Sequence, residues 1–204
     1  MILGHRGLTG TEVAENSEQA IRLAKAAGFD GVEIDVQLTK DHQLILWHDE
    51  LLGGDKVHQK SLRECQEESH YPLLTLKEVV YLVKHLGLYL MCEIKIYAEQ
   101  IRLDLANRVY DVIKQSDLTS SDYLISSFDQ DVLMHLYQKD PSLDYTFAFD
   151  KPINKLPEMP LKALVIPDGF KHNFEDSMPV ITYRHRCRPN VLTQDHFAYV
   201  VDKP

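Results

Sequence analysis

The reading turns on Val32-Glu33-Ile34-Asp35-Val36-Gln37-Leu38-Thr39-Lys40-Asp41-His42-Gln43-Leu44-Ile45-Leu46-Trp47-His48-Asp49. Val32–Leu38 and Leu44–Trp47 are rich in β-branched and large apolar residues and read as strands. The gap between Val36 and Leu44 is too short for a helix, and a parallel crossover needs about a dozen residues or more. Thr39-Lys40-Asp41-His42 is a turn sequence, so the two strands are expected to form an antiparallel hairpin. Folding the chain about Lys40 and Asp41 sets Glu33 opposite His48. Side chains alternate along a strand, so Glu33 and Asp35 share one face and Ile34 takes the other.

On either side of this stretch, short apolar runs alternate with amphipathic ones, the pattern of an α/β fold. Ile2–Gly4 reads as the first strand. Asn16 looks like an N-cap, with Gln19 three residues on as in a capping box, and Gly28 ends that helix. Further helices are expected over Thr75–Leu86, Glu99–Gln115 and Gln130–Gln138. Further strands are expected at Leu88–Ile94, Tyr123–Ser126, Tyr145–Phe149, Ala163–Ile166, Val180–Tyr183 and Tyr199–Val201. Strands in this number, mostly separated by helices, suggest a TIM-type (β/α)8 barrel, which usually takes about 250 residues. With 204 residues the barrel must be trimmed, and the prolines at 152, 157, 160, 167, 179 and 189 place the trimming after residue 150. One domain over 1–204, with a short insertion near 50–71, is the expectation.

Composition narrows the function. Lys plus Arg number 22 against 31 Asp plus Glu, a net charge of −9, which disfavours nucleic acid and anionic membrane surfaces as partners. No apolar run approaches the roughly 18 residues of a membrane helix, so no integral membrane contact is expected. Cys65, Cys92 and Cys187 are odd in number and widely spaced, without zinc-type or disulfide spacing. Together with the lack of a leader pattern, this makes a reducing, cytoplasmic setting the expectation.

The chemistry sits at strand ends. Glu93-Ile94-Lys95 repeats the Glu33-Ile34-Asp35 arrangement, now with a carboxylate and an ammonium. Charges facing into a barrel are costly unless paired or bound to a metal. Three carboxylates, Glu33, Asp35 and Glu93, suit one hard divalent cation with oxygen ligands, Mg²⁺ or Ca²⁺. A salt-bridge cluster around Lys95, or solvent-facing edge strands, is the plainer alternative. His5-Arg6-Gly7 follows the first strand and His48-Asp49 the third. Two imidazoles beside carboxylates can exchange protons near neutral pH, and an arginine can grip a pair of phosphate oxygens.

In order and spacing, His5-Arg6-Gly7, Glu15-Asn16, Glu33-Ile34-Asp35-Val36, Thr39 through His48-Asp49, and Glu93-Ile94-Lys95 resemble the glycerophosphodiester phosphodiesterase family. Leu73–Glu78, Ser126–Asp129 and Val201–Pro204 extend the likeness more thinly. The resemblance implies a phospholipase-C-like barrel that hydrolyses small-molecule glycerophosphodiesters to glycerol 3-phosphate and an alcohol. It implies Glu33, Asp35 and Glu93 as cation ligands, His5 and His48 as the acid/base pair, and Arg6 and Lys95 as phosphate contacts. On that assignment a divalent cation, three carboxylates, Arg6 and Lys95 sum to +1, which a phosphodiester neutralises.

The likeness has departures. Ala14 replaces a proline, His42 stands where a glycine is usual, and the short Glu50–Tyr71 segment suggests a more open rim. Ile181-Thr182-Tyr183-Arg184 replaces a Trp-Thr-Val-Asn strand, leaving a substrate-facing aromatic missing or moved. Two other readings compete. One is phospholipase-D-like action on lysophospholipids, for which Leu51-Leu52-Gly53-Gly54 is the nearby apolar lip. The other is a non-catalytic anion-binding barrel, to which the altered 181–184 stretch and the short length point; the basic run Arg184-His185-Arg186-Cys187-Arg188 reads as a solvated loop, with attraction of a phosphate or anionic head group as the alternative.

Overall fold

Strand β1 (Ile2–Gly4) pairs in parallel with two partners far apart in sequence, β2 (Gly31–Leu38) and β11 (His196–Val201). That double pairing closes the sheet into a ring. The computed structural model describes residues 1–10, 12–167, 178–184 and 196–202. From β2 the ring continues through β6 (Tyr89–Ile94), β7 (Tyr123–Ser127), β8 (Tyr145–Ala148), β9 (Ala163–Pro167) and β10 (Val180–Arg184) to β11, every neighbour parallel. The described strands thus form the expected eight-stranded parallel barrel.

The helices are α1 (Glu18–Ala26), α2 (Leu62–Glu68), α3 (Leu76–Leu86), α4 (Arg102–Lys114) and α5 (Gln130–Lys139). The trimming falls where the prolines placed it: among the described residues no helix lies between β8 and β9. No described helix is long and apolar enough to cross a membrane.

Local sequence explains the helix ends. Thr75 and Glu78 form a reciprocal capping box on α3, and Gly87 leaves it at φ 60°. The N-terminus of α1 corrects the sequence reading: Ser17, not Asn16, caps it by accepting from the Ala20 amide. Asn16 is turned away in a left-handed conformation, φ 54°, for a task described below.

Strand β3 (Leu44–Leu46) runs antiparallel to the end of β2, with Val36 opposite Leu46 and Leu38 opposite Leu44. The register is one residue off the fold about Lys40 and Asp41, and the Trp47 amide donates to the Asp35 carbonyl. The turn needs a positive φ at His42, 60°, and the His42 ring meets Asp104 of α4 at 2.7 Å. The short insertion folds more than its length suggests. It holds the hairpin β4 (Leu51–Leu52) and β5 (Asp55–Lys56), then α2, around a small core of Leu52, Val57, Cys65 and Leu73.

Alternation along the strands divides two cores. Val32, Ile34, Val36, Leu90, Cys92 and Ile94 face the helices. Leu3, Met91, Leu124, Ala163, Val165, Ile181 and Val200 fill the barrel interior. Gly31 permits the tight floor, since a Cβ there would stand 2.2 Å from the Tyr89 carbonyl oxygen.

Candidate active site

The carboxylates of Glu33 and Asp35 project from β2 into the barrel mouth, and Glu93 joins them from β6, where it pairs with Asp35 in register. All three are buried, and one oxygen from each lies within 4.8 Å of the others. The sequence-derived triad is therefore one cluster in space. It lies at the C-terminal ends of parallel strands, the end at which barrels of this kind carry their sites.

Arg6 and Lys95 lie among these acids. Lys95 Nζ stands 2.5 Å from Glu93 Oε1 and 3.1 Å from Asp35 Oδ1. Arg6 Nε lies 3.3 Å from Asp35 Oδ2, and its Nη1 donates to Glu15 Oε2 at 2.7 Å. The Arg6 backbone amide donates to Glu33 Oε2. Arg6 and Gly7 both have positive φ, 54° and 85°, and a Cβ at Gly7 would come within 2.6 Å of Ala20. The turn after β1 is thereby locked against α1.

Asn16 grips Asp35 from both sides: its Nδ2 donates to Asp35 Oδ2 at 2.9 Å, and its Oδ1 accepts from the Asp35 amide at 3.1 Å. Asn16, expected as a helix cap and part of the Glu15-Asn16 likeness, instead makes its side-chain bonds to the buried acid.

His5 stands at the end of β1 with Nδ1 2.6 Å from Asp202 Oδ1 and Nε2 4.0 Å from Glu33 Oε2. His48 has Nδ1 2.7 Å from Asp49 Oδ1. Each imidazole is thus oriented by a carboxylate. Asp202, just beyond β11, had no assigned role in the sequence reading, where it was only part of a thin terminal likeness. Lys203 and Pro204 of that likeness lie outside the described residues, as does the basic run from residue 185 to 188.

His5, Arg6, Glu33, His48, Glu93 and Lys95 line one cavity of about 340 Å³, together with Phe128, Asp150 and Tyr183. Asp35 lies beneath, covered by Lys95 and Arg6. In the altered stretch it is Tyr183, two residues along from Ile181, that lines the cavity from β10. A wider groove of about 870 Å³ adjoins the cavity and shares Glu93, Lys95, Phe128 and Asp150 with it. The apolar lip at Leu51-Leu52 shrinks to one side chain, since Leu52 is buried and Leu51 is 47% exposed.

Charge imbalance marks the cluster. Burial, then the neighbouring Asp35, pushes the Glu33 carboxyl up to about 8. Burial likewise raises Glu93. Burial would raise Asp35 too, but Lys95 and Arg6 outweigh it and hold that carboxyl below its usual value. Burial opposes the charge on His5, yet the bond to Asp202 and the field of Glu33 leave its pKa raised. Among the described residues, Glu33 Oε1 and Glu93 Oε1 are both buried without a hydrogen bond, the latter beside Lys95 Nζ. Lys95 and Arg6 therefore satisfy Asp35 and leave Glu33 as a surplus acid. An oxygen-only donor set with two buried oxygens left without hydrogen bonds fits a hard divalent cation.

Acidic, basic and imidazole side chains thus gather at the mouth of a parallel β/α barrel. Residues 5–184 match the model of the glycerophosphoryl diester phosphodiesterase family, and the chain belongs to that family. It is 32% identical over 164 residues to the uncharacterized protein MG293 of Mycoplasma genitalium, covering 73% of this chain and 67% of that protein. A glycerophosphodiester phosphodiesterase of Caldanaerobacter subterraneus is 46% identical over 50 residues, 24% of this chain and 20% of that one. Among solved structures, an Oleispira antarctica phosphodiesterase in complex with its product sn-glycerol-3-phosphate superposes with a TM-score of 0.83 at 22% identity, covering 100% of this chain and 93% of that one. A Thermotoga maritima glycerophosphodiester phosphodiesterase gives 0.76 at 23%, covering 99% and 94%.

Proposed function

We propose that this chain hydrolyses glycerophosphodiesters to glycerol 3-phosphate and an alcohol, with Glu33, Asp35 and Glu93 holding one divalent cation, Mg²⁺ or Ca²⁺. The observation that carries the reading is the single cavity in which two carboxylate-oriented imidazoles flank the acidic cluster. Family membership and the product named for the Oleispira protein support the substrate class. When bound, the cation would polarise a non-bridging phosphate oxygen and offset negative charge growing on it.

The side chains supply the rest. Arg6 and Lys95 hold the phosphate oxygens and place phosphorus between the two imidazoles. One imidazole takes the proton of the attacking hydroxyl, and the other returns a proton to the departing alkoxide. With Nδ1 of His48 engaged by Asp49, and Nδ1 of His5 by Asp202, Nε2 is the exchanging atom on each ring. The attacking hydroxyl is either water, which gives glycerol 3-phosphate directly, or the neighbouring glycerol hydroxyl, which expels the alcohol to leave a cyclic phosphate that water then opens to glycerol 3-phosphate; the same proton acceptor serves both attacks. Residues 1–204 act in this reading as one domain, with no nucleic-acid or membrane-embedded partner.

The test is release of glycerol 3-phosphate from glycerophosphocholine with each cation in turn, and again with excess chelator. Turnover with Mg²⁺ or Ca²⁺ and none with chelator supports the proposal; full activity in chelator overturns the metal site. Substituting a lysolipid as substrate separates the competing lipase reading, which a strong preference for that substrate would favour.

A further inference from the structure

His48 lies beyond the last ladder pair of β3, Leu46 with Val36, and the Trp47 amide makes the final bond to β2. Nothing in the sheet ladder then fixes the backbone that carries the ring. Three side-chain donor groups do so instead. Gln37 is buried at the end of β2, and its Nε2 donates to the carbonyl oxygens of Trp47 at 2.8 Å and Asp49 at 2.7 Å. Both N–H groups of one amide are spent on the carbonyls either side of His48. The His48 carbonyl itself accepts from the Tyr97 hydroxyl at 2.6 Å. Three successive carbonyls, 47 to 49, are thus held by two side chains.

The placement of those two side chains extends the site's own pattern. Glu33, Asp35 and Gln37 occur at every second position of β2. Glu93, Lys95 and Tyr97 repeat that spacing from β6 onward. Asp35 pairs with Glu93, so the two rows run side by side. Each row begins with charged groups in the acidic cluster and ends on a donor to the His48 segment.

We propose that Gln37 and Tyr97 are positioning residues for His48, holding its backbone so that the imidazole stays within reach of the phosphate. This rests on the assignment of His48 as an acid/base group. A group displaced by about 1 Å can lose on the order of 10²-fold in rate. A neutral amide and a phenol do this without adding charge beside the cluster.

The experiment is a kinetic cycle on the metal-supplemented full chain with glycerophosphocholine. The variants are Tyr97→Phe, Gln37→Met and His48→Ala, with each clamp substitution repeated in the His48→Ala background. Tyr97→Phe removes one oxygen from a half-buried ring, so it keeps the test readable should Gln37→Met fail to fold. With His48 present, each substitution is expected to lower kcat roughly ten- to hundredfold, with KM held within about twofold. In the His48→Ala background the same substitutions are expected to change the rate by less than about twofold, because the group they position is gone. Unchanged kcat with His48 present, or an equal loss without it, overturns the clamp while leaving the acid/base assignment standing. Wild-type turnover by His48→Ala alone overturns that assignment, and the clamp with it.

Discussion

The floor and the mouth of the barrel are built by the same strands, two residues apart. Leu3 and His5, Gly31 and Glu33, Met91 and Glu93, Ile181 and Tyr183, Val200 and Asp202 are successive inward positions of their respective strands. The lower member of each pair packs in the interior, where Met91 and Val200 also form the base of the cavity, and the upper faces or supports the site. One step of strand periodicity thus separates a packed plug from a charged cleft. The floor lets the mouth be unstable: with the interior filled below, buried charges above need satisfy only each other and what they bind. Substitutions at the two levels should therefore report on different quantities.

The largest separation is expected from His5→Ala and His48→Ala, each lowering kcat by about 10²–10⁴-fold. Steady-state kinetics on both variants, with thermal melts close to that of the wild type, would check it. Near-wild-type kcat in either would strike that residue from the chemistry. At the floor, Leu124→Ala, at a buried interior position that does not line the cavity, should do the reverse, lowering unfolding free energy by about 2–5 kcal/mol in denaturant titration. Folded protein well below its new midpoint should keep its activity. Glu93→Gln falls between them: weaker cation binding by calorimetry, with little loss of melting temperature. Collapse of the fold would instead return Glu93 to a structural ion pair with Lys95.

A smaller effect follows from Glu33, whose carboxyl is raised to about 8 in the fold. The folded state then binds a proton that the unfolded chain has released, so in chelator stability should fall as pH rises from about 4.5 towards 8. Asp35 acts in the opposite sense only at more acid pH, since its carboxyl is lowered. Glu33→Gln should flatten the decline between pH 5 and 8 in melts followed by circular dichroism; an unaltered slope would place its origin elsewhere. The smallest effect is expected at the exposed Arg63–Glu67 pair on α2, where Arg63→Ala should cost less than about 1 kcal/mol.

Much of this was legible because strand periodicity is short. Two acids at positions i and i+2 announce a shared face, and the tight Thr39–His42 turn permits only a hairpin. Reading which residue occupies which strand end was then enough to collect His5, Arg6, Glu33, Asp35, His48, Glu93 and Lys95. What escaped depends on geometry that spacing does not encode. The hairpin register differs by one because the loop holds three residues, Lys40 to His42, closed by the Thr39 amide donating to the Gln43 carbonyl, rather than the two residues Lys40 and Asp41. Asn16 passed for a cap because the same side chain that caps a helix can also grip a carboxylate. The expected helix over Glu99–Gln115 begins with a 3₁₀ turn at Glu99–Ile101 before α4. Asp202 lies 197 residues from its imidazole partner, and only the closed ring brings the two together. Helix α2 is seven residues long and reads as loop without its capping box at Ser61 and Glu64.

Closure through β1 also has a consequence for how the molecule comes to life. A nascent chain emerging from the ribosome carries β2 and β6 long before β11, so the acidic cluster can gather while the ring is still open. The orientation of His5 cannot, because its carboxylate follows β11, the last strand to join the ring. Contacts of such long range are slow to form, since chain entropy opposes them until late. Arrival of β11 and Asp202, rather than the gathering of the acids, therefore sets the moment at which the His5 ring is oriented.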